Sequence, residues 1–344
     1  MGFIPTVAAG FGAEPHSDGM ESIPMMQYLF AFAAVFVLIM FLMPLFLKLA
    51  HKYDFTDKPT ERKKHDAPMP LTGGLAMFIA FAVGFVIFVI YRDPTMPFLL
   101  AGAALIVAVG LVDDYSKSKG REFPVWPRIL VHIAAATILF IGDIRFVGFF
   151  NHFTGQYVSL PIWLQFGLTV LWIVGLVTVF NFMDGLDGLS GMLALVAGVT
   201  FFIVAIHMGQ TESAFLAAVL VAAVAGFLRF NFPPAKIYMG DSGAYLLGFV
   251  LAAISLHGAF KQATVVSLAV PMLAMGVPIF DGVLVVVRRI KARKPAYVAD
   301  STDITHLHYR LMKRGFTPRG TVLLIFAIST GLSVASIILM FAFR

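Results

Sequence analysis

The sequence predicts an all-α integral membrane protein with about ten transmembrane helices and both termini outside. Hydrophobic residues make up 59% of the 344 residues and charged residues only 13%, whereas a soluble domain is about a quarter charged. The apolar runs reach the length of about 20 residues that a helix needs to cross a bilayer. Lys and Arg are concentrated in alternate connections between these runs, which is typical of a multi-pass protein.

Ten apolar runs account for most of the chain. They are too long for barrel strands, and lipid-exposed irregular backbone is excluded from the hydrocarbon region, so we predict helices throughout. The predicted spans are roughly 27–47, 72–91, 97–112, 127–142, 160–180, 187–207, 213–229, 243–258, 264–287 and 320–343. Residues 1–26 contain no Lys or Arg, so we predict a short external tail rather than a cleavable signal peptide. Residues 27–344 then form a single polytopic domain.

The distribution of basic residues predicts the orientation. The connections 48–71, 113–128, 181–186, 229–242 and 288–319 hold 21 of the 25 Lys and Arg residues. Because short loops rich in Lys and Arg stay in the cytoplasm, we predict that this set is cytoplasmic, including the long loop 288–319. The same bias explains the net charge of +6, so the composition calls for a lipid bilayer and no nucleic acid. Cysteine is absent, which excludes disulfides.

Six aspartates lie at the predicted cytoplasmic ends of the spans. They are Asp113, Asp114, Asp184, Asp187, Asp241 and Asp281. A charged side chain at the bilayer centre costs about 3 kcal/mol on insertion scales, and carboxylates that converge on one face repel one another. We therefore expect a hard metal ion, a basic loop or both to neutralise them.

The stretch NFMDGLDGLSG joins two apolar runs. If it is helical, Asn181, Asp184 and Asp187 share one broad face, and their oxygens are the ligands that Mg²⁺ prefers. The alternative is a pair of tight turns, because Asp-Gly favours turns. Turns alone do not require burial beside apolar spans, so we favour a binding site.

The stretch GLVDDYSKSKG ends the third span with adjacent carboxylates. Asp113 and Asp114 can serve as metal ligands or as acid–base groups. Lys117 occupies the last position of a prenyl-diphosphate DDxxD motif, so that motif is absent. The alternative is an acidic cap, but negative charge is unfavourable at the C-terminal end of a helix. A functional role is therefore the better interpretation.

The stretch NFPPAKIYMGDSGAYLLGF combines an amide, a cation and an aromatic ring. Asn231, Lys236 and Tyr238 can bind a nucleotide or its phosphates, and Asp241 and Gly243 open the eighth span, where a helix N-terminus suits a phosphate. The alternative is an ordinary loop with an interfacial tyrosine, and the stretch alone does not decide between the two.

Two basic loops complete the predicted cytoplasmic face. Lys64 and His65 precede the second span, and Arg289 begins the long loop. These residues can bind phosphates, attract lipid headgroups or only retain the loops in the cytoplasm. His306 and His308 point the same way only in extended backbone. With no cysteine and no third close histidine, phosphate contact is favoured there over zinc.

Together the motifs DD, NxxDGLDGL, PAKxxMGDxG, PxxD and HLH, in this order between Asp57 and Arg319, resemble the polyprenyl-phosphate N-acetylhexosamine-1-phosphate transferases. The resemblance implies a bacterial inner-membrane enzyme with its active site on cytoplasmic loops. Its substrates would be a UDP-N-acetyl amino sugar and undecaprenyl phosphate, with release of UMP and a need for Mg²⁺, or Mn²⁺ in its place. The product would begin a cell-surface polysaccharide.

The resemblance also assigns roles to single residues. Asp241 is expected to bind magnesium, together with Asp114 and Asp184. The catalytic aspartates are expected to be Asp113, Asp114, Asp184 and Asp187. The expected substrate-binding residues are Asn181, Asn231, Lys236, Tyr238, Lys64, His65 and Arg289. His306 and His308 match the catalytic histidine motif of the last loop.

Several alternatives stay open. HLHY is closer to the HxHH of enzymes specific for N-acetylglucosamine (GlcNAc) than to the three consecutive histidines of those that use N-acetylmuramoyl-pentapeptide (MurNAc-pentapeptide), but other UDP-N-acetyl sugars fit too. A secondary transporter would carry its charges near mid-membrane and show an internal repeat. A CDP-alcohol phosphotransferase would need an arginine shortly after Asp-Gly. The sequence leaves open whether the chain forms a homodimer.

Overall fold

The described part of the chain contains twelve helices and two small sheets. The computed structural model describes residues 25–57, 68–151, 156–258, 265–292 and 306–342. The helices are α1 Met25–Lys52, α2 Gly73–Phe88, α3 Met96–Ser118, α4 Val125–Ile141, α5 Ile162–Met183, α6 Leu189–His207, α7 Thr211–Asn231, α8 Gly240–His257, α9 Val265–Ala274, α10 Gly276–Lys291, α11 Leu307–Lys313 and α12 Pro318–Ala342. The strands are β1 Thr56–Asp57, β2 Met69–Pro70, β3 Gly148–Asn151 and β4 Gln156–Ser159.

Some predicted features lie outside the described residues. They are the basic pair Lys64 and His65, residues 1–24 of the predicted external tail, and residues 293–305 of the long loop. The roles predicted for Lys64 and His65 stay predictions.

The described residues of the predicted spans lie mostly in helices, so the all-α membrane class is confirmed. Among the described helices, six are long and apolar enough to cross a membrane by length and composition, and two shorter ones, α2 and α4, are also apolar. On α1, buried residues recur every three or four positions while Phe41 and other apolar side chains point outward. A helix with apolar residues on its outer face as well suits a lipid environment. The number of crossings and their orientation stay predictions.

The ninth predicted span is not one helix. α9 ends at Ala274, and α10 begins at Gly276 after Met275, which does not have ideal helical dihedrals. Pro278 has no N–H to donate to the Ala274 carbonyl, so one helical hydrogen bond is lost at this point. Proline is well tolerated in the first turn of a new helix. The proline thus explains the division of the segment into α9 and α10.

Two antiparallel ribbons were not predicted. β1 pairs with β2, with Asp57 opposite Met69, and β3 pairs with β4. Two-residue strands are too short to show a period of two in the sequence. The ribbon β1–β2 is joined to the loop before α8, because Tyr238 N–H donates to the Pro70 carbonyl at 2.8 Å and Gly73 N–H donates to the Tyr238 carbonyl at 3.1 Å.

The helix α8 lies at the centre of the bundle. Every residue from Gly240 to His257 is buried, and α8 packs against α2, α3, α5, α6 and α7. Gly110 of α3 faces the backbone of Ser242 so closely that a Cβ there would overlap it. This approach brings the end of α3 to the start of α8. We call this end of the bundle, where α3, α5 and α7 end and α8 begins, the site end.

Replacing Gly110 with Ala is expected to lower the unfolding temperature in detergent by about 3 °C or more. The added methyl group would overlap the rigid Ser242 backbone, so α3 and α8 must separate. The matched control is Gly167→Ala on α5, where a Cβ meets nothing within 4 Å. Both changes gain similar helix propensity, about 1 kcal/mol. Equal unfolding temperatures for the two variants would contradict the close approach.

Candidate active site

A cavity of about 290 Å³ opens at the site end. Its lining comes from β1, the β2–α2 connection, α3, the α5–α6 loop, the end of α7, the loop before α8, the start of α8, and α11. The described lining residues are Asp57, Leu71, Asp114, Lys117, Asp184, Gly185, Leu186, Asp187, Asn231, Tyr238, Gly240, Asp241 and Tyr309. Six of the residues predicted for the site are therefore brought together, from segments far apart in sequence.

Asp114 anchors the first turn of α8. Its Oδ1 accepts a hydrogen bond from the Asp241 N–H at 2.7 Å, and its Oδ2 accepts from the Ser242 N–H at 3.1 Å and the Ser242 hydroxyl at 2.7 Å. A carboxylate is favourable at a helix N-terminus, where backbone N–H groups lack helical partners. We expected these donors to suit a substrate phosphate. That expectation is wrong for Asp241 and Ser242, because an internal carboxylate already accepts from both.

Asp241 is held by cations and a hydroxyl. Lys117 Nζ lies 2.6 Å from its Oδ1, the Tyr245 hydroxyl donates to its Oδ2 at 3.2 Å, and Arg128 NH1 lies 3.7 Å from Oδ2. Arg128 makes its shorter ion pair with Asp113, at 2.8 Å. Asp113 is only 1% exposed and is not among the described residues that line the cavity.

The stretch NFMDGLDGLSG forms a turn as well as part of the cavity wall. α5 ends at Met183 and α6 begins at Leu189, so the stretch is not one helix and its aspartates do not share one helical face. Asp184 and Asp187 both line the cavity from this turn, while Asn181, still inside α5, is not among the described lining residues. The backbone turns because Gly188 adopts a positive φ of 76°, which glycine tolerates without a Cβ clash.

Two side chains tie this turn to the loop before α8. Asn231 accepts from the Gly188 N–H at 2.9 Å and donates to the Ile237 carbonyl at 2.8 Å. Asp187 accepts from the Ala235 N–H at 2.9 Å. Both the oxygen and the nitrogen of the Asn231 amide are thus hydrogen-bonded to backbone groups. The contact predicted between Asn231 and a nucleotide stays a prediction.

The loop before α8 presents Tyr238 to the cavity but not Lys236. Burial, followed by the charges of Asp187, Asp57 and Asp184, raises the pKa of the Tyr238 hydroxyl, which keeps it protonated. Lys236 is exposed and is not among the described lining residues.

The histidine motif lies behind the cavity wall. His306 Nδ1 lies 2.9 Å from Asp281 Oδ2, and the Leu307 N–H donates to Asp281 Oδ1 at 2.7 Å, so Asp281 attaches α11 to α10. The His308 ring packs against Gly185. Burial, and then the neighbouring His306, lower the pKa of His308 to about 4.

Neither histidine is among the described residues that line the cavity, and both ring nitrogens of His308 lack a hydrogen-bond partner among the described residues. The guanidinium of Arg289, also absent from that lining, lies 5.6 Å from the centre of the Phe182 ring. The predicted catalytic and substrate-binding roles of these three side chains stay predictions.

The cavity lining is rich in carboxyl groups. Its described lining contains five aspartates and one lysine. Burial raises the pKa of Asp184 well above its usual range, and the charges of Asp241 and Asp114 raise it further. A divalent cation would relieve this repulsion, and carboxylate oxygens suit it. Magnesium sites commonly use one or two carboxylates with water and substrate phosphates, and Asp184 and Asp241 fit that description.

No group of three or more His, Cys, Asp or Glu side chains is placed to hold a metal ion within the described ranges. The predicted trio of Asp114, Asp184 and Asp241 therefore does not form a ready-made set of ligands. Both oxygens of Asp114 already accept hydrogen bonds from α8, which accounts for the difference.

Three lining residues with ionisable side chains were missing from the predicted site. Asp57 lies on β1, Lys117 on α3 and Tyr309 on α11. Lys117 could have been found, because it lies three residues after Asp114 and so on the same side of a helix. Tyr309 follows the predicted His308 directly. Asp57 depends on the pairing of β1 with β2, which the sequence did not reveal.

Comparison with known proteins identifies the family. Residues 96–259 match the model of glycosyl transferase family 4. A probable undecaprenyl-phosphate N-acetylglucosaminyl 1-phosphate transferase from Bacillus subtilis (strain 168) is 34% identical to this chain, and the alignment covers 92% of this chain and 86% of the relative. The chain belongs to glycosyl transferase family 4.

Two further relatives agree with this assignment. A decaprenyl-phosphate N-acetylglucosaminephosphotransferase from Mycobacterium leprae is 31% identical over 81% of this chain and 75% of its own length. The undecaprenyl-phosphate alpha-N-acetylglucosaminyl 1-phosphate transferase of Escherichia coli K12 is 25% identical over 81% of this chain and 74% of its own length. The family 4 member described here is accordingly a multi-pass membrane phosphotransferase.

The Asp114→Asn variant is expected to lose stability and most of its transferase activity, about 100-fold or more. An amide would place an NH₂ group against N–H donors of α8, and a buried unsatisfied polar group costs about 1–3 kcal/mol. The control Ser242→Ala removes only the hydroxyl donor and keeps both backbone bonds, so we expect a loss of less than about 10-fold. Unfolding temperature and turnover in purified protein check both. Near-normal turnover of Asp114→Asn would contradict this role.

Proposed function

We propose that this enzyme transfers GlcNAc-1-phosphate from UDP-GlcNAc to undecaprenyl phosphate and releases UMP. The observation that carries the proposal is an acidic cavity of about 290 Å³ at the end of an apolar helix bundle, where a diphosphate and a lipid phosphate can meet. The names of the relatives support the same sugar and a polyprenyl acceptor. The product would be the first lipid-linked intermediate of a bacterial surface polysaccharide.

The proposed chemistry is a displacement at phosphorus. An oxygen of undecaprenyl phosphate bonds to the β-phosphorus of the donor, and the bond to the oxygen that bridges the α-phosphate breaks, so UMP leaves with the electron pair. A phosphate monoester already carries about −1.5 to −2 charge at pH 7, so little proton abstraction is required. Positioning and neutralisation of charge are therefore the main tasks of the protein.

We assign the binding of Mg²⁺, or of Mn²⁺ in its place, to Asp184 and Asp241. When bound, the ion would neutralise part of the charge on the diphosphate. Asp114 fixes the backbone of Asp241, and Lys117 holds its carboxylate. Lys117 also provides the only positive charge among the described lining residues, where it can attract the phosphates.

An apolar cavity of about 240 Å³ on the side of the bundle suits the lipid acceptor. It lies between α5 and α10 and is lined by Phe146, Leu168, Leu171, Trp172, Gly175, Leu176, Val179, Ile279 and Val283. Val179 lies four residues before Met183, the end of α5, so this cavity extends toward the turn that carries Asp184. Such a surface fits a polyprenyl chain whose phosphate reaches the acidic cavity.

The cytoplasm is the proposed compartment of the active site. The loops at the site end belong to the set of connections that hold 21 of the 25 Lys and Arg residues, which the positive-inside rule places in the cytoplasm. We propose the bacterial plasma membrane as the location, because UDP-sugars are made in the cytoplasm.

Membranes that contain the chain are expected to convert radiolabelled UDP-GlcNAc and undecaprenyl phosphate into labelled lipid. Parallel reactions with UDP-GalNAc and UDP-MurNAc-pentapeptide identify the donor, and label from only one donor settles the sugar. Chelation of divalent ions is expected to stop the reaction, and added Mg²⁺ to restore it. If no donor gives labelled lipid with or without Mg²⁺, the proposed transferase reaction is wrong, and a transport assay becomes the next experiment.

Filling the apolar cavity is expected to weaken use of the long acceptor. A Cβ at Gly175 meets nothing within 4 Å, so Gly175→Phe should fold and fill space between α5 and α10. We expect KM for undecaprenyl phosphate to rise about 10-fold, with little change for a short-chain prenyl phosphate. The control Gly331→Phe on α12, also without close neighbours at Cβ, should leave both values unchanged. Equal effects on long and short acceptors would contradict this site for the lipid.

A further inference from the structure

Asp113 and Arg128 form a buried ion pair directly behind the acidic cavity. Arg128 NH1 lies 2.8 Å from Asp113 Oδ2 and 3.7 Å from Asp241 Oδ2. Arg128 NH2 donates to the Phe123 carbonyl at 3.1 Å, which fixes the guanidinium. The Asp113 side chain is 1% exposed and that of Arg128 is 14% exposed. One guanidinium thus lies between two carboxylates of different function.

Adjacent positions in α3 explain why the two aspartates differ. Successive side chains of an α-helix point about 100° apart, so Asp113 and Asp114 cannot serve the same surface. Asp114 points at the first turn of α8, whereas Asp113 points at Arg128 on α4. Asp114 is among the described lining residues of the cavity and Asp113 is not. Asp113 therefore reaches the reacting groups only through other side chains.

We propose that Asp113 and Arg128 act as a positioning pair that keeps the carboxylate of Asp241 available to its ligand. This inference rests on the proposed function, in which Asp241 helps to hold the divalent cation. Asp113 binds the guanidinium at the shorter distance and so limits its direct pairing with Asp241. The predicted catalytic role of Asp113 is thereby replaced by an indirect one.

Charge explains why both partners are needed. If Asp113 loses its charge, Asp241 becomes the nearest carboxylate to the guanidinium of Arg128, which can then pair with it fully, so Asp241 becomes a poorer ligand. If Arg128 loses its charge, Asp113 remains as an uncompensated buried carboxylate close to Asp241. An unpaired buried charge is far more costly than the loss of both partners. Removal of both charges should therefore be better tolerated than removal of either one.

A double-mutant cycle tests this inference on the purified full-length protein. The variants are Asp113→Asn, Arg128→Gln and the double variant, compared with the unaltered chain. We expect each single change to lower kcat about 30-fold or more. The double variant should be at least as active as the less active of the two single variants. If Asp113 and Arg128 acted independently of each other, the two losses would multiply instead. Multiplied losses in kcat would overturn the inference.

A second readout does not depend on turnover. Mg²⁺ that binds the folded protein raises its unfolding temperature. We expect a clear rise in unfolding temperature for the unaltered chain and a smaller rise for each single variant. The double variant should recover the rise of the unaltered chain. A shift that falls further in the double variant would overturn the inference. If the double variant does not fold, Arg128→Lys replaces it in both measurements, since a retained charge should preserve at least half of the temperature shift.

The two readouts separate failure of the inference from failure of the proposed function. If labelled lipid never forms but the double variant restores the Mg²⁺-induced shift in unfolding temperature, the proposed reaction is wrong and the positioning pair is supported. If the unaltered chain forms product but the losses in kcat of the two single variants multiply in the double variant, only the positioning pair is wrong. The control is the ion pair of Asp143 and Arg145 at the other end of the bundle, at 2.9 Å. The double variant Asp143→Asn/Arg145→Gln should leave kcat and the shift unchanged.

Discussion

The carboxylate of Asp114 lies against the first turn of α8 and accepts three hydrogen bonds there. This interaction fixes the end of α3 to the start of the central helix. The close approach of Gly110 to the Ser242 backbone makes it possible, because a larger residue would keep the two helices apart. The position of Asp241 follows directly, since its own N–H is one of the three donors. The acidic cavity is thus built on a backbone contact between two helices.

The other walls of the cavity are also positioned by contacts to backbone. Asn231 and Asp187 join the α5–α6 turn to the loop before α8, and the ribbon β1–β2 joins the same loop through Pro70 and Gly73. Asp281 attaches α11 to α10 in a similar way. Many of the polar side chains that the sequence suggests for chemistry therefore hold irregular backbone at the buried site end, where unpaired backbone groups are costly.

The sequence predicted the helices better than their junctions. Apolar runs identify helices because the bilayer dictates their length, and the acidic motifs were correctly predicted to meet at one end. The break between α9 and α10 depends on a single proline whose effect could equally have been a kink. Asp184 and Asp187 do not share a helical face, because Gly188 permits a turn at this point. Asp57 lines the cavity because β1 pairs with β2, and these strands are too short to be recognised in the sequence.

Assigning a role to each aspartate required knowledge of its nearest partners. Asp113, Asp114 and Asp281 are all buried and all have internal partners: a guanidinium, a helix N-terminus and a histidine with its neighbouring N–H. Asp184 also lines the cavity, but its carboxylate has no hydrogen bond or ion pair with another described residue, and burial and neighbouring carboxylates raise its pKa. A carboxylate held by backbone donors or by a fixed guanidinium, as Asp114 and Asp113 are, gains little from a cation. One that is repelled by its neighbours gains much. The same reasoning that identifies Asp184 as the place for a divalent ion therefore assigns Asp113 to the support of Asp241.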